Sequence, residues 1–232
     1  MNHFKVKNPR KDLSFEIAFT KAYRDAVKRY THPAQIELAC LRAQYPAILH
    51  PIQEEDLLAG RVEAGLVGLG IQGQTGGYGY YIDEPRVTEA LEFGEGNAKY
   101  REDLHDLLIF WKTNSSNNKV LRNTPDSIKH ILFSDNWKQT PLPASPIIRM
   151  AGAYLDFDKL IRLGLPGMRA EVTAYRERAE QEGGDAVLYQ CMDGALELMG
   201  QVCLWYRDQA MELLAQAGDE KRKGELRRMA QA

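Results

Sequence analysis

Hydrophobic residues recur every three or four positions over most of the chain, which is the spacing of side chains on one face of an α-helix. The pattern is longest near the carboxyl end, where it continues from Leu188 to Ala217 and predicts a helix of about eight turns. Shorter stretches predict further helices over residues 14–30, 34–46, 87–93, 100–111, 125–133, 157–163, 166–182 and from 220 onward.

The first two predicted helices are joined by the short segment Thr31-His32-Pro33. Proline suits the first turn of a helix but not its interior, so Pro33 ends one helix and begins the next. The two helices are expected to form an αα-hairpin. The buried face of the first helix is predicted to consist of Phe15, Ala18, Phe19, Ala22, Ala26, Val27 and Tyr30.

Three segments interrupt the helical pattern. Seven glycines lie between Gly65 and Gly79, and this density predicts a loop or short irregular strands, since glycine disfavours a helix. The polar run 113–119 is interpreted as a link, and residues 140–146, with three prolines, as an extended connector. The predicted organisation is a flexible arm over 1–13, a helical hairpin with a glycine-rich insert over 14–140, and a long-helix segment over 141–232 that forms one domain with the preceding part.

Composition narrows the class of protein. Hydrophobic residues make up 44% of the chain and charged residues 27%, which indicates a globular protein rather than a disordered one. The net charge of −2 lacks the basic excess of a nucleic-acid-binding protein. Neither a signal peptide nor an apolar stretch long enough for a bilayer is present, and three cysteines are too few for a disulfide scaffold. A cytoplasmic location without nucleic-acid or membrane partners is therefore expected.

The residues alone identify no catalytic machinery. The glycine-rich stretch lacks the lysine and hydroxyl of a phosphate-binding loop, GxSxG is absent, and the histidines are not at metal-ligand spacing. Cys191 and Cys203 are interpreted as small buried hydrophobic residues, because neither has a basic neighbour in sequence that would lower its pKa. Asp156 precedes a predicted helix and is explained by N-capping at least as well as by catalysis.

Several short motifs, in order, resemble the N-terminal domain of glycyl radical enzymes of the pyruvate formate-lyase type. They are Leu58-Ala59-Gly60-Arg61, the run from Gly76 to Tyr81, Asp156-Phe157, Gly164-Leu165-Pro166-Gly167, and the end of the long-helix segment from Arg222 to Leu226. The resemblance extends over about residues 14–232. It implies a mainly α fold with few or no strands, namely the helical N-terminal layer of a glycyl-radical-type α/β barrel.

Two motifs of this family are missing from the chain: the Gly-Cys-Val-Glu-like loop that carries the thiyl cysteine and the Arg-Val-x-Gly loop that carries the radical glycine. The resemblance therefore implies an N-terminal segment of a larger enzyme that is inactive alone and binds no cofactor itself. The parent enzyme would be an anaerobic lyase or transferase acting on a small polar organic substrate. Its glycyl radical would be installed by a radical S-adenosylmethionine activase. The implied partners are that activase and the remainder of the barrel or another subunit, with a homodimer as one possible assembly.

Three residues are candidates for one wall of the substrate cavity, with no catalytic or metal-binding residue assigned. Arg61 is the candidate charged clamp, Tyr81 the hydroxyl donor and Asp156 a carboxylate behind them. Each also has a purely structural interpretation. The alternative function is a non-enzymatic helical interaction or scaffold protein, in which the apolar long helix pairs with another subunit.

Overall fold

The structure is a computed structural model, and it describes residues 12–71, 78–93, 96–132 and 156–231. Within these ranges the chain is mainly helical, with one pair of strands. In chain order the elements are α1 Ser14–Arg29, α2 Pro33–Ile48, β1 Val67–Ile71, β2 Tyr78–Ile82, α3 Glu84–Phe93, α4 Ala98–Asn114, α5 Ser116–Asn123, α6 Asp126–Leu132, α7 Phe157–Gln181, α8 Val187–Gln216 and α9 Glu220–Gln231. The mainly α fold predicted from the sequence is confirmed.

The chain divides into two compact units, each built from two separate stretches. The first unit comprises Met1–Asp25 with Ala64–Tyr154, and the second comprises Ala26–Glu63 with Leu155–Ala232. The predicted boundary near residue 140, the proline-rich connector and most of the 1–13 arm lie outside the described residues.

The first unit packs its helices around an aromatic core. Trp111 on α4 is fully buried, and its ring contacts those of Phe19, Tyr23 and Tyr80 at centroid distances of 5.0 to 6.1 Å. The indole Nε1 donates a hydrogen bond of 2.8 Å to the Thr20 hydroxyl, so the buried polar atom is satisfied. The predicted apolar face of α4 is confirmed, since the following residues are all buried: Leu104, Leu107, Leu108 and Trp111.

The glycine-rich stretch contributes the two strands of this unit. β1 and β2 pair antiparallel, with Val67 opposite Ile82 and Leu69 opposite Tyr80. Val67 and Leu69 lie on the same face of β1, since alternate residues of a strand point to one side, and both are buried. The expectation of short strands is therefore met at both ends of the stretch, while residues 72–77 lie outside the described part of the chain.

The second unit is organised around the long helix α8, which packs against α2, α7 and α9. α8 confirms the prediction from the apolar pattern to within a residue at each end. Gly194 allows α2 to come close, since a Cβ there would lie 2.7 Å from Leu38 Cδ2. α7 is broken at Gly164, whose φ of +60° suits glycine, so residues 157–163 and 166–182 form two helical segments as predicted.

Two local predictions were wrong. The buried stripe consists of Leu13, which directly precedes α1, and of Glu16, Phe19, Thr20, Tyr23 and Ala26 within it, whereas Ala18 and Val27 are exposed. Glu16 and Thr20 replace apolar residues on this face because each forms a hydrogen bond there, Glu16 Oε1 accepting from the Leu66 N–H at 2.8 Å.

The polar run 113–119 is not only a link, because α5 begins within it at Ser116. Ser115 caps this helix, its hydroxyl accepting from the Asn118 N–H. The Ser116 hydroxyl accepts a hydrogen bond of 3.0 Å from the Tyr80 N–H, which attaches α5 to the hairpin. The polar side chains of this run thus cap α5 and bind it to β2.

Candidate binding groove

The second unit contains an apolar groove of about 820 Å³, a size typical of ligand or peptide sites. It lies between α2, α8, α9 and the segment 49–63, which we call the lip segment because it forms one rim of the groove. The lining includes Leu41 and Tyr45 of α2, Leu198 and Met199 of α8, and Met229 of α9.

The base of the groove and its rim differ in exposure. Leu198 and Tyr206 at the base are buried, at 9% and 6% exposed, and Tyr206 belongs to the core shared by α8 and α9. Leu57 and Leu58 on the lip segment are 67% and 83% exposed, and Val62 is 51% exposed. Exposed leucines grouped around one depression, rather than scattered singly, are typical of an interaction surface.

The lip segment is held in place by hydrogen bonds between its two ends and by others from α9. A bridge pairs Leu49 with Val62 at its two ends, where the His50 N–H also donates to the Arg61 carbonyl at 2.9 Å. The guanidinium of Arg222 on α9 donates to the carbonyls of Gln53 and Asp56 at 2.9 and 2.7 Å. The leucines are therefore presented by a backbone that is fixed on both sides.

Tyr206 ties the base of the groove to the lip segment. Its hydroxyl donates a hydrogen bond of 2.9 Å to the carbonyl of Arg61. Burial raises the pKa of Tyr206 above its usual value, so the hydroxyl stays protonated and remains a donor at neutral pH. The contact is a positional anchor rather than a source of an ionised nucleophile.

Charged groups of both signs surround the groove, and most of them are paired, as Arg61 is with Asp56 and Arg222 with Glu225. Arg228 is the charged residue in the lining, and within residues 12–71, 78–93, 96–132 and 156–231 its guanidinium forms no ion pair. Glu54 and Glu55 are exposed at the turn that precedes Leu57, and neither carboxylate has an ion-pair partner in the same described ranges. All three side chains are exposed, so water solvates their charges where no ion pair does.

The three predicted wall residues occupy different places. Arg61 is half exposed on the lip segment, between two lining residues of the groove, and its guanidinium pairs with Asp56. Asp156 caps α7, its carboxylate accepting from the Lys159 N–H at 2.9 Å. Tyr81 lies on β2 of the other unit, opposite Gly68. A role for these residues in substrate binding stays a prediction.

The described cysteines differ in exposure, and the His50 ring pairs with Glu63 at 2.8 Å on the lip segment. Cys40 and Cys191 are buried, and burial raises the pKa of the Cys191 thiol, which keeps it protonated. The expectation that Cys203 is buried was wrong, because its side chain is exposed along the groove. Among the residues described, no cluster of His, Cys, Asp or Glu has the arrangement of a metal site. No described helix is long and apolar enough to cross a membrane.

Sequence reasoning missed the groove, although one signal pointed to it. Leu57 and Leu58 directly follow the acidic run Glu54-Glu55-Asp56, so two leucines stand in a charged segment that has no helical repeat to bury them. The contribution of Arg228 and Cys203 could not be read from the helical pattern, because it depends on how α9 and the lip segment flank α8.

Comparison with known proteins identifies the family. The sequence model for "PFL-like: Pyruvate formate lyase-like" matches residues 20–232. Among solved structures, the chain is similar to the glycerol-bound form of the B12-independent glycerol dehydratase from Clostridium butyricum, with a TM-score of 0.63 and 13% sequence identity. The match covers 94% of this chain but only 28% of that one. No curated protein sequence matches. Because the family model spans most of its length, the chain belongs to the pyruvate formate lyase-like family.

Proposed function

We propose that these residues form the N-terminal helical segment of a glycyl radical enzyme that acts on a small polar organic substrate, and that they do not catalyse the reaction alone. The match of the pyruvate formate lyase-like family model to residues 20–232 carries this proposal. The glycerol dehydratase neighbour, described as glycerol-bound, is an example of a similar fold in a protein with a small polar ligand.

The residues that would carry the radical are assigned to other parts of the enzyme because of what this sequence lacks. The family chemistry requires a radical glycine and a thiyl cysteine, and this chain has neither of the loops that carry them. The described cysteines support this assignment, because Cys40, Cys191 and Cys203 all lie within helices rather than in a loop. We therefore assign the radical, and the activase that installs it, to the enzyme that includes this segment. No cofactor is assigned to the segment itself.

The segment supplies scaffolding and part of a substrate wall. Arg61 is suited to an anionic or hydroxylated substrate because its guanidinium is half exposed even while it pairs with Asp56. Tyr81 would donate its hydroxyl, and Asp156 would hold neighbouring groups in place. A lyase or transferase reaction, anaerobic conditions, a cytoplasmic location and assembly with another subunit belong to the same proposal.

A second candidate function is a non-enzymatic interaction protein of the same fold. It is favoured by the exposed leucines at the rim of the groove and by the exposed apolar residues of α8, among them Met192, Met199 and Trp205. Under this alternative the chain would complete its buried surface with another protein and would have no link to radical chemistry.

A turnover assay tests the proposal. The purified chain is incubated anaerobically with S-adenosylmethionine, a reductant and an activating enzyme, and supplied in turn with glycerol and with pyruvate plus coenzyme A. We expect no product above that of a heat-denatured sample. Product formation by the chain alone would refute the assignment of the radical chemistry to other parts of the enzyme.

A further inference from the structure

We infer that residues 157–163, which we call the flap helix, form a hinged unit that swings on Gly164 relative to the rest of α7. An ion pair between Lys159 and Glu171 is the latch that holds the flap helix against residues 166–181, which we call the main segment. This device follows from the geometry of α7 and does not depend on the proposed function.

The hinge is a backbone conformation that a regular helix does not contain. Gly164 has φ +60° and ψ 179°, a combination that is essentially restricted to glycine. A Cβ at this position would lie 3.5 Å from Pro166 Cδ, an ordinary contact, so glycine is required by the backbone conformation and not by a lack of space. Pro166 in addition has no N–H with which to continue the helix. α7 therefore bends at a point where the dihedral angles of a helix are lost and its hydrogen-bond ladder is interrupted.

The latch spans this bend. Lys159 Nζ lies 2.5 Å from Glu171 Oε2, although the two residues are 12 positions apart. In a straight helix their Cα atoms would be about 18 Å apart, which is beyond the combined reach of the two side chains. The pKa of Lys159 is raised by its hydrogen bond to Glu171, so the amine is charged at neutral pH. Because both side chains are 34% exposed, the ion pair is weak and is screened by salt, which suits a reversible latch.

Apart from the latch, the packing of the flap helix is sparse. None of residues 157–181, all of which the structure describes, is fully buried. Leu160 and Leu163 are partly buried, whereas Phe157 and Ile161 are 60% and 84% exposed. A helix of seven residues is marginal without buried contacts, and segments of this kind open at a low cost in free energy. Opening of the flap helix is therefore an accessible motion of the folded chain.

The flap helix carries Asp156 at its N-terminus. The Asp156 carboxylate accepts a hydrogen bond of 2.9 Å from the Lys159 N–H, so the cap and the latch lysine move together. The carboxylate that we propose for the substrate wall would thus change its position when the flap helix opens. This consequence alone rests on the proposed function.

Pulsed electron paramagnetic resonance between two nitroxide labels measures the motion. The labels are attached at I161C and E177C, two exposed positions on either side of the hinge. The background is C203S, because Cys203 is the exposed cysteine of the chain. Labelled chain is diluted with unlabelled chain, so that only distances within one chain contribute. In a straight α7 the two Cα atoms would be about 24 Å apart, and the bend brings them closer. We expect a major population at a shorter distance and a minor one at a longer distance.

Charge variants test the latch. K159E places two carboxylates together and should raise the ratio of long to short distances by about 3-fold or more. The charge swap K159E/E171K should restore the parent ratio. In the parent chain, 1 M NaCl should raise the ratio, because it screens the ion pair. G164A should also favour the longer distance, since alanine disfavours the hinge conformation.

R178E is the matched control. It reverses one charge of an exposed ion pair, Arg178 with Glu182 at 2.8 Å, that lies beyond the hinge, so the distances should not change. Circular dichroism of every variant confirms that the helices are intact. A single distance that is the same in the parent chain, in K159E and at high salt would overturn the inference, because the bend would then be rigid. A shift in K159E that the charge swap does not reverse, or that R178E also produces, would overturn the latch. Turnover by the chain alone would refute the proposed function without changing these distances, so the two failures are distinguishable.

Discussion

Replacing Arg222 by alanine should release the lip segment and destabilise the second unit. Its side chain is only 16% exposed and donates hydrogen bonds to the carbonyls of Gln53 and Asp56 at 2.9 and 2.7 Å. It also pairs at 3.0 Å with Glu225, whose side chain is 12% exposed. One guanidinium therefore joins α9 to the segment that presents Leu57 and Leu58.

The magnitude follows from these contacts. A hydrogen bond to a charged group contributes about 1.5–3 kcal/mol, and the lower end applies to the two carbonyls because water can reach the exposed lip segment. R222A removes both hydrogen bonds and leaves the Glu225 carboxylate without its partner, so it should lower the free energy of unfolding by about 3 kcal/mol. R222K keeps the charge but not the forked geometry, so it should cost about 1–2 kcal/mol. Removing the stranded charge with E225Q in the R222A background should recover about 1 kcal/mol.

Hydrogen exchange followed by mass spectrometry measures the effect locally. We expect amides between Gln53 and Arg61 to exchange on the order of 100-fold faster in R222A, which corresponds to the same free energy for opening of the segment. A peptide from α4 in the other unit serves as the internal reference and should be unchanged. Exchange in the lip segment that is equally fast in the parent chain and in R222A would refute the view that Arg222 fixes this segment.

Three further predictions concern stability. W111F should lower the free energy of unfolding in urea by about 2–3 kcal/mol, because it leaves a cavity and removes the hydrogen bond to Thr20. A double-mutant cycle with T20V should show a coupling energy of about 1 kcal/mol, and additive losses would contradict that hydrogen bond. D156A should destabilise α7 by about 1 kcal/mol, whereas D156N should cost only a few tenths, because asparagine also accepts the capping hydrogen bond. Equal losses for the two variants in thermal unfolding would argue against capping. The hydrogen bond from Arg169 lowers the pKa of Asp193 below its ordinary value of 3.8. The ionised carboxylate therefore stabilises the folded chain fully above pH 3.8, and this stabilisation is lost as the pH falls through the lower pKa of the folded state. In D193N the free energy of unfolding should therefore fall less steeply at acid pH than in the parent chain. The same steepness in both would contradict this role of Asp193.

Elements with a strong apolar period were predictable from the sequence. α8 has an uninterrupted repeat over 30 residues, and the break at Gly164 has a local cause, so both were found within a residue or two. α5 was missed because its first turn is entirely polar and its start depends on the Ser115 cap and on the contact of Ser116 with β2. The buried stripe of α1 was misplaced because Glu16 and Thr20 enter it through hydrogen bonds that no apolar pattern reveals.

The candidate site was less predictable than the helices, for a physical reason. Arg61 was selected from a motif, and it does border the groove, but half of the groove lining comes from α8 and α9, about 130 to 170 positions later in the chain. Asp156 could be recognised as a cap because capping involves residues three positions apart. The exposure of Cys203 could not be recognised, since it depends on which face of a long helix other elements cover.

Electron paramagnetic resonance tests the central claim that the segment itself carries no radical. The chain is treated anaerobically with S-adenosylmethionine, a reductant and an activating enzyme, beside a complete glycyl radical enzyme with its own activase. We predict the glycyl doublet in the complete enzyme and no organic radical signal in this chain. A stable doublet in this chain, with a splitting that changes when the protein is made with deuterated glycine, would contradict the account.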